Sequence, residues 1–237
     1  MNISDLDQLV TYHSKLNPDL WRNNRLRPEV RLQLFRIAKA FIEFIEVDDL
    51  RLTDITISGS NASFNYNDNS DIDLHLIADV NGPCAANLKE LFLAKKSLFN
   101  DQYDISILGH AVEVYVQDSD QPHISNGVYS VYNDKWVKQP EKITDKPDTT
   151  NIEHKYEYFK AEIDQAIDSA DSTTIDRLKK RIKTMRQSGL EKTGEYGVEN
   201  LTFKLLRNSG DIDRLSKAKQ QATDKQLSLN TISGEHR

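Results

Sequence analysis

Hydrophobic positions along this chain change their period several times, and each change marks an element. From Pro28, a residue suited to a first helical position, Val30, Leu34, Ile37, Phe41 and Ile45 fall on one stripe, which Phe35, Ala38 and Ile42 widen. The spacing predicts a helix with one face in the core. Past Leu50 the period drops to two: Thr53 to Ser58 alternates polar and apolar residues and stops at Gly59-Ser60, which reads as a strand running into a tight turn. A polar, asparagine-rich loop from Asn61 to Ser70 leads to a second alternating run, Asp71 to Ala78. In it Ile72, Leu74 and Leu76 face one way and Asp71, Asp73 and His75 the other. Gly82-Pro83 breaks the chain before a helix carrying Leu88, Leu91, Phe92 and Leu98. Two antiparallel hairpins are expected next. Asp104–Leu108 and Ala111–Gln117 are joined at Gly109-His110, and Val128–Tyr132 and Lys135–Val137 at Asn133-Asp134.

Beyond Gln139 the composition turns to proline, lysine, aspartate and threonine, the mark of a linker, and everything after it has helical spacing. One helix is expected from Ile152 to Ala170, burying Tyr156, Phe159, Ile163 and Ile167. Ser172 is the expected N-cap of the next, whose stripe is Ile175, Leu178, Ile182 and Met185 and whose end is near Gly189. A third is expected from Val198 to Asn208, and a fourth from about Asp211. The fold class predicted is α+β, a mixed sheet with flanking helices followed by a C-terminal helical domain. The expected boundaries are 1–140 for the sheet-bearing domain, 141–151 for the linker, 152–222 for the helical domain and 223–237 for a flexible tail.

Composition narrows the function classes. With 237 residues the chain can bury more than one core, and its net charge of −6 argues against coating nucleic acid through a broad positive field. No run of about 18 apolar residues occurs, so no membrane partner is expected. The first residues lack the basic and apolar segments of a secretory signal, and Cys84, in the turn Gly82-Pro83-Cys84, is the only cysteine. An intramolecular disulfide is therefore impossible, and a cytoplasmic location is the expectation.

The candidate chemistry sits at the start of the second alternating run. Asp71 and Asp73 are separated by one residue on a strand, so their carboxylates share a face and can converge on one hard cation. Like charges so placed repel unless a divalent ion lies between them. Glu113, flanked by Val112 and Val114, supplies a third acid if its strand neighbours theirs; Asp104 and Asp118 are the alternatives. Three such acids can hold a pair of ions about 3.5–4 Å apart, the arrangement used for in-line phosphoryl transfer. Upstream, Gly59 lets backbone approach a phosphate closely and Ser60 offers a hydroxyl. His75 reads as a hydrogen-bonded neighbour of the acids. The cationic helix Arg177–Arg186, with Lys179 and Arg186, and the following Lys204 are candidate contacts to triphosphate or to an RNA acceptor. Tyr129, Tyr132 and Trp136 read as packing groups.

Taken together, a hydrophobic strand, Gly59-Ser60, a polar loop ending in Ser70, then Asp71-Ile72-Asp73-Leu74 and a later strand with Glu113 resemble the signature of the DNA polymerase β-like nucleotidyltransferase superfamily. The likeness spans about residues 28–118, and the helices that follow resemble the helical domain that completes such proteins. Small members often carry arginine and glycine where this chain has Ser63 and Phe64, and an aspartate as third acid. The resemblance implies Asp71, Asp73 and Glu113 as catalytic, metal-binding residues for Mg²⁺ or Mn²⁺, with Gly59, Ser60 and Ser70 at the phosphates and the active site in a cleft between the domains. It implies transfer of a nucleoside monophosphate from a nucleoside triphosphate, ATP among the candidates, to a hydroxyl of an RNA or protein acceptor, with release of pyrophosphate. Other readings it admits are an oligonucleotide second-messenger synthase, a non-catalytic scaffold of the same fold, and control by a regulatory partner protein.

Overall fold

The computed structural model describes residues 6, 10–47, 50–80, 82–122, 125–142 and 147–228. Part of the expected linker, 143–146, and most of the expected tail, 229–237, lie outside the described residues. The chain divides into two compact units, one of residues 10–146 and the other of residues 147–237 together with residues 1–9, so the start of the chain groups with the helical part and not with the sheet-bearing one expected from 1–140.

The first unit opens with a small hairpin, β1 (Trp21–Arg22) and β2 (Arg25–Leu26). Its turn residues Asn23 and Asn24 have φ of 51° and 60°, the left-handed pair that an Asn-Asn turn accommodates. Helix α1 (Pro28–Ile45) starts with Pro28 in its first turn and ends at Glu46 in the left-handed region; Val30, Leu34, Ile37, Ala38, Phe41 and Ile45 are buried, so the predicted stripe is the packed one. The strands β3 (Leu52–Ser58) and β4 (Ile72–Ala78), helix α2 (Ala85–Gln102), and strands β5 (Ser106–Ile107), β6 (His110–Asp118), β7 (Val128–Ser130) and β8 (Lys135–Lys138) follow. They form a mixed six-stranded sheet in the order β5-β6-β4-β3-β7-β8, with β4 and β6 parallel and the other pairs antiparallel. The α+β class read from the hydrophobic periods is the one observed. Both expected hairpins form, but with different turns: Leu108 and Gly109, at φ of 51° and 87°, make that of the first in place of Gly109-His110, and residues 131–134 that of the second in place of Asn133-Asp134 alone.

One face of the sheet, with Ile57, Ile72, Leu74, Leu76, Val112 and Val114, packs with α1 into the core. Helix α2 differs from expectation. Phe92 and Phe99 are its buried residues, while Leu91 and Leu98 are 38% and 56% exposed. The cause is where the helix sits. Past β5, the side of β6 away from β4 has no strand partner among the described residues, and the Asn100 amide fills in, bonding the main-chain O and N of Val114 at 3.4 Å each. A helix covering a strand edge buries a narrow stripe, here Phe92 and, one heptad on, Phe99, which packs edge-on against Phe41.

The second unit is helical: α3 (Thr149–Ser169), α4 (Ser172–Thr193), α5 (Val198–Asn208) and α6 (Asp211–Leu227). Its core includes Ile152, Tyr156, Phe159, Ile163, Ile175, Leu178, Ile182, Leu201, Leu205 and Leu215. Several local expectations change: α3 begins at Thr149, inside the expected linker, and Ile167, expected to be buried, is half-buried. The N-cap of α4 is Asp171, whose carboxylate accepts from the amides of Thr173 and Thr174, and Ser172 is the first helical residue. Gly189 does not end α4, which continues to Thr193; a Cβ on Gly189 would lie 2.4 Å from Glu199 Cβ, so glycine lets α5 approach. Helix α6 also runs past residue 223, to Leu227. No described helix is long and apolar enough to cross a membrane.

Candidate active site

The site is built where β3, β4 and β6 run side by side. Ser58 stands opposite Asp73 across the antiparallel β3–β4 pair, and Asp73 stands opposite Glu113 across the parallel β4–β6 pair. Side chains at matched positions of neighbouring strands share a face, so Asp73 and Glu113 project together, away from the face that carries Leu74 and Val114 into the core. Asp71 precedes β4. Each of the three half-buried acids offers a carboxylate oxygen within 4.8 Å of the others. Of the acids considered for the third position, Glu113 is the one that meets the pair. Asp118 is at the far end of β6, opposite Ala78 and paired with Lys89 at 2.6 Å, which holds its carboxyl below the usual range; Asp104 is exposed before β5.

Gly59 closes the site against Asp73. Its φ of 76° is left-handed, and a Cβ built on it would lie 2.1 Å from Asp73 Oδ2. Only a residue without a side chain lets the carboxylate rest against this turn. Ser60 then heads a single 3₁₀ turn, Ser60–Ala62, closed by Ala62 N–H to Gly59 O at 3.1 Å and Ser63 N–H to Ser60 O at 3.0 Å. The donor set of the acid cluster is entirely carboxylate oxygen, which suits hard cations such as Mg²⁺ or Mn²⁺ and not thiophilic ones. The clearance at Gly59 fits the same group, because it keeps Asp73 turned toward the other acids.

Ser70 contributes differently from Ser60. Its hydroxyl is buried, accepting from Asn67 N–H at 2.9 Å and facing Asn67 Oδ1 at 3.3 Å, so it shapes the loop. His75 is the hydrogen-bonded neighbour expected of it. It is buried, with Nδ1 2.5 Å from Gln117 Oε1 and Nε2 2.8 Å from Ser58 Oγ and 2.9 Å from Tyr115 OH. One residue that sequence reading misses is Lys96 of α2. Its ammonium lies 3.5 Å from Glu113 Oε2 and 4.7 Å from the Tyr115 ring centre. Lys96 and Tyr115 also line a cavity of about 450 Å³ with Phe92, Leu93, Lys89 and Gln121. Nothing in the α2 sequence distinguishes this lysine from its neighbour Lys95; only the helix's seat on β6 selects it.

The expected cations of the C-terminal part belong to the second unit, where Lys179 and Arg186 have partners. Lys179 Nζ donates to Ser216 Oγ at 3.2 Å, and Arg186 lies 4.3 Å over the Phe203 ring; Lys204 is half-buried on α5. Tyr129 and Trp136 are packing groups, as read, whereas Tyr132 is 62% exposed: Trp136 stacks on Trp21 at 4.7 Å, and the fully buried Tyr129 donates to Asp134 Oδ1 at 2.7 Å. Burial, and after it Asp134, hold the Tyr129 phenol well above the usual tyrosine range.

No protein-family model matches the chain, and no curated protein matches it. Among solved structures, the chain is similar to a STING-associated CdnE c-di-GMP synthase from Capnocytophaga granulosa, at 14% sequence identity over 88% of this chain and 90% of that one. The TM-score of that match is 0.24, too loose a superposition to bear on fold or function.

Proposed function

We propose that this protein is a divalent-metal-dependent nucleotidyltransferase, and the observation that carries the reading is the meeting of Asp71, Asp73 and Glu113 beside the Gly59-Ser60 turn. Oxygen from three converging carboxylates is the donor set for Mg²⁺ or Mn²⁺, and like charges this close favour a cation among them. Bound there, such ions neutralise a triphosphate and acidify an attacking hydroxyl.

The remaining roles belong to the chain. Asp71 and Asp73 would hold the metal, and Glu113, on the adjoining strand, would add a ligand and help take the acceptor's proton. A triphosphate at the acids would lie beside the Gly59-Ser60 turn, which rests against Asp73, and the Ser60 hydroxyl is the candidate donor to a phosphate oxygen. In the reaction an acceptor hydroxyl oxygen forms a bond to the α-phosphorus, the bond from that phosphorus to the bridging oxygen breaks, and pyrophosphate leaves. The cavity lined by Lys96, whose ammonium pairs with Glu113, and reaching toward Asp118, is the candidate place for the acceptor or the base. Lys179, Arg186 and Lys204 are kept as candidate phosphate contacts on the strength of charge alone.

The acceptor in this reading is a hydroxyl of an RNA or protein. Incubation with the four nucleoside triphosphates alone separates it from oligonucleotide synthesis: soluble oligonucleotide products would favour a second-messenger synthase. The reaction itself is tested by pyrophosphate release with Mg²⁺ or Mn²⁺. The intact protein is expected to release it and the Asp71→Ala/Asp73→Ala protein to lose it; equal signals from both would leave a non-catalytic protein of the same fold.

A further inference from the structure

Asp71 precedes the β4 ladder, whose first paired residue is Ile72, so strand pairing does not fix its main chain. What holds it is a group of buried side chains drawn from separate segments. Asn61 Nδ2 donates to the main-chain oxygens of Ser70 and Asp71, at 2.8 and 3.0 Å. Asn61 Oδ1 accepts from Asn17 Nδ2 at 2.9 Å, and the same Asn17 nitrogen lies 3.0 Å from His110 Nε2. His110 Nδ1 lies 2.8 Å from Ser70 O. Asn17, Asn61, Ser70 and His110 are 3%, 0%, 5% and 7% exposed.

The polarity of every bond in this group follows from its ends. Main-chain oxygens only accept, so both Asn61 N–H bonds point at them and Asn61 Oδ1 faces Asn17 as an acceptor. Asn17 therefore presents its NH₂, and its Oδ1 agrees, accepting from Asp19 N–H at 3.0 Å. The second Asn17 proton must go to a bare His110 Nε2, which places the imidazole proton on Nδ1, toward Ser70 O. Each donor and acceptor is used, and one arrangement satisfies all of them. Such a closed network resists small shifts, because any displacement strands a buried polar group.

It also joins the three parts of the acid site. Asn61 follows Ser60 in the 3₁₀ turn, the carbonyl of Asp71 belongs to the first acid, and His110 opens β6, the strand of Glu113. We propose that Asn17, Asn61 and His110 are positioning residues that set Asp71 against the Gly59-Ser60 turn and the Glu113 strand, and so determine the affinity of the acid cluster for a divalent cation. The proposal rests on the metal-binding reading above and adds residues from outside the cluster.

The test is Mn²⁺ binding to the metal-free full chain without nucleotide, followed by the spin-resonance signal of the free ion. His110→Leu and Asn17→Ala are each expected to weaken binding about 10–100-fold, the usual effect of removing a group that orients metal ligands. His110→Asn, which keeps a donor for Ser70 O, is expected to retain more affinity than His110→Leu, and it decides the matter with Asn17→Ala if the leucine variant does not fold. Tyr129→Phe, which deletes a buried bond elsewhere in the same unit, serves as the stability control and is expected to leave Mn²⁺ binding unchanged. Folded His110 and Asn17 variants that bind as the wild type does, or a Tyr129→Phe protein weakened equally, would overturn the proposal. A wild-type protein that binds no Mn²⁺ would instead remove the metal reading itself, an outcome that the wild-type titration shows before any variant is made.

Discussion

Asp73 and Glu113 stand directly opposite each other on parallel strands, with Gly59 pressed against the Asp73 carboxylate from the strand on the other side. That relationship converts two distant stretches of sequence into one anionic site, and it implies measurable consequences for charge, for backbone and for the packing of the rest of the chain.

Without metal, the acid cluster is a source of repulsion. Asp73→Asn is expected to raise the thermal midpoint in a chelator by a small amount, on the order of 0.2–1 kcal/mol for relieving a cross-strand like-charge contact, and Glu113→Gln to raise it less, because it also removes the partner of Lys96. The same variants are expected to lose the upward shift that Mn²⁺ gives the wild type. Calorimetry with and without Mn²⁺ checks both halves; a metal-induced shift that survives in both variants would contradict the assignment.

Gly59→Ala introduces a methyl group 2.1 Å from Asp73 Oδ2 at a left-handed φ of 76°. Backbone strain and the displaced carboxylate together are expected to cost about 1–3 kcal/mol and to suppress Mn²⁺ binding with it. Urea unfolding and the Mn²⁺ titration read the two effects separately. Unaltered metal affinity would show that Asp73 does not need its place against the turn.

In the helical unit the corresponding close approach is at Gly189. Gly189→Ala would set a methyl 2.4 Å from Glu199 Cβ. The better helix propensity of alanine, worth about 1 kcal/mol, opposes an overpacking cost of about 1–3 kcal/mol, so the net expectation is destabilisation. Denaturation monitored by helical circular dichroism decides the sign, and a more stable variant would mean that α5 moves away freely.

Acid should weaken the same unit through Glu199. A hydrogen bond from Lys155, at 2.5 Å, holds the Glu199 carboxyl below its usual range. A depressed carboxylate adds stability above its unfolded-state value and loses it as pH falls through the depressed one, so the contribution is present at neutral pH and disappears in acid. Both groups are about one-third exposed, which limits the contribution to roughly 1 kcal/mol or less. Glu199→Gln is expected to flatten the pH dependence of unfolding between pH 6 and pH 3, and a slope equal to that of the wild type would exclude the pair as its source.

Much of this architecture is legible in the chain because local rules and global packing agree. The α1 stripe, the alternation of β3 and β4, the Gly109 hairpin and the limits of α5 follow from period and turn chemistry. Helix α2 is where reading by composition fails. Its leucines outnumber its phenylalanines, yet the phenylalanines are inside, because a helix laid on a strand edge buries only what faces that edge. The small β1–β2 hairpin went unread although its signal, Asn23-Asn24 between Trp21-Arg22 and Arg25-Leu26, is present; two-residue strands carry too little alternation to show a period.

The sequence by itself placed Asp71 and Asp73 one residue apart at the head of one strand, but only Asp73 lies within β4; Asp71, expected in the strand, precedes it, and its place beside Asp73 is set by the loop. The sequence also determined that a glycine would meet them, because the turn after β3 demands backbone that other residues rarely adopt. Only the tertiary structure decided that Glu113 rather than Asp104 or Asp118 is the third acid, that Lys96 sits beside it, and that Asn17, Asn61 and His110 close around the Asp71 main chain. These choices depend on the parallel register of β4 and β6 and on contacts between residues far apart in the chain. No local period encodes them, because they are set by which surfaces the core brings together.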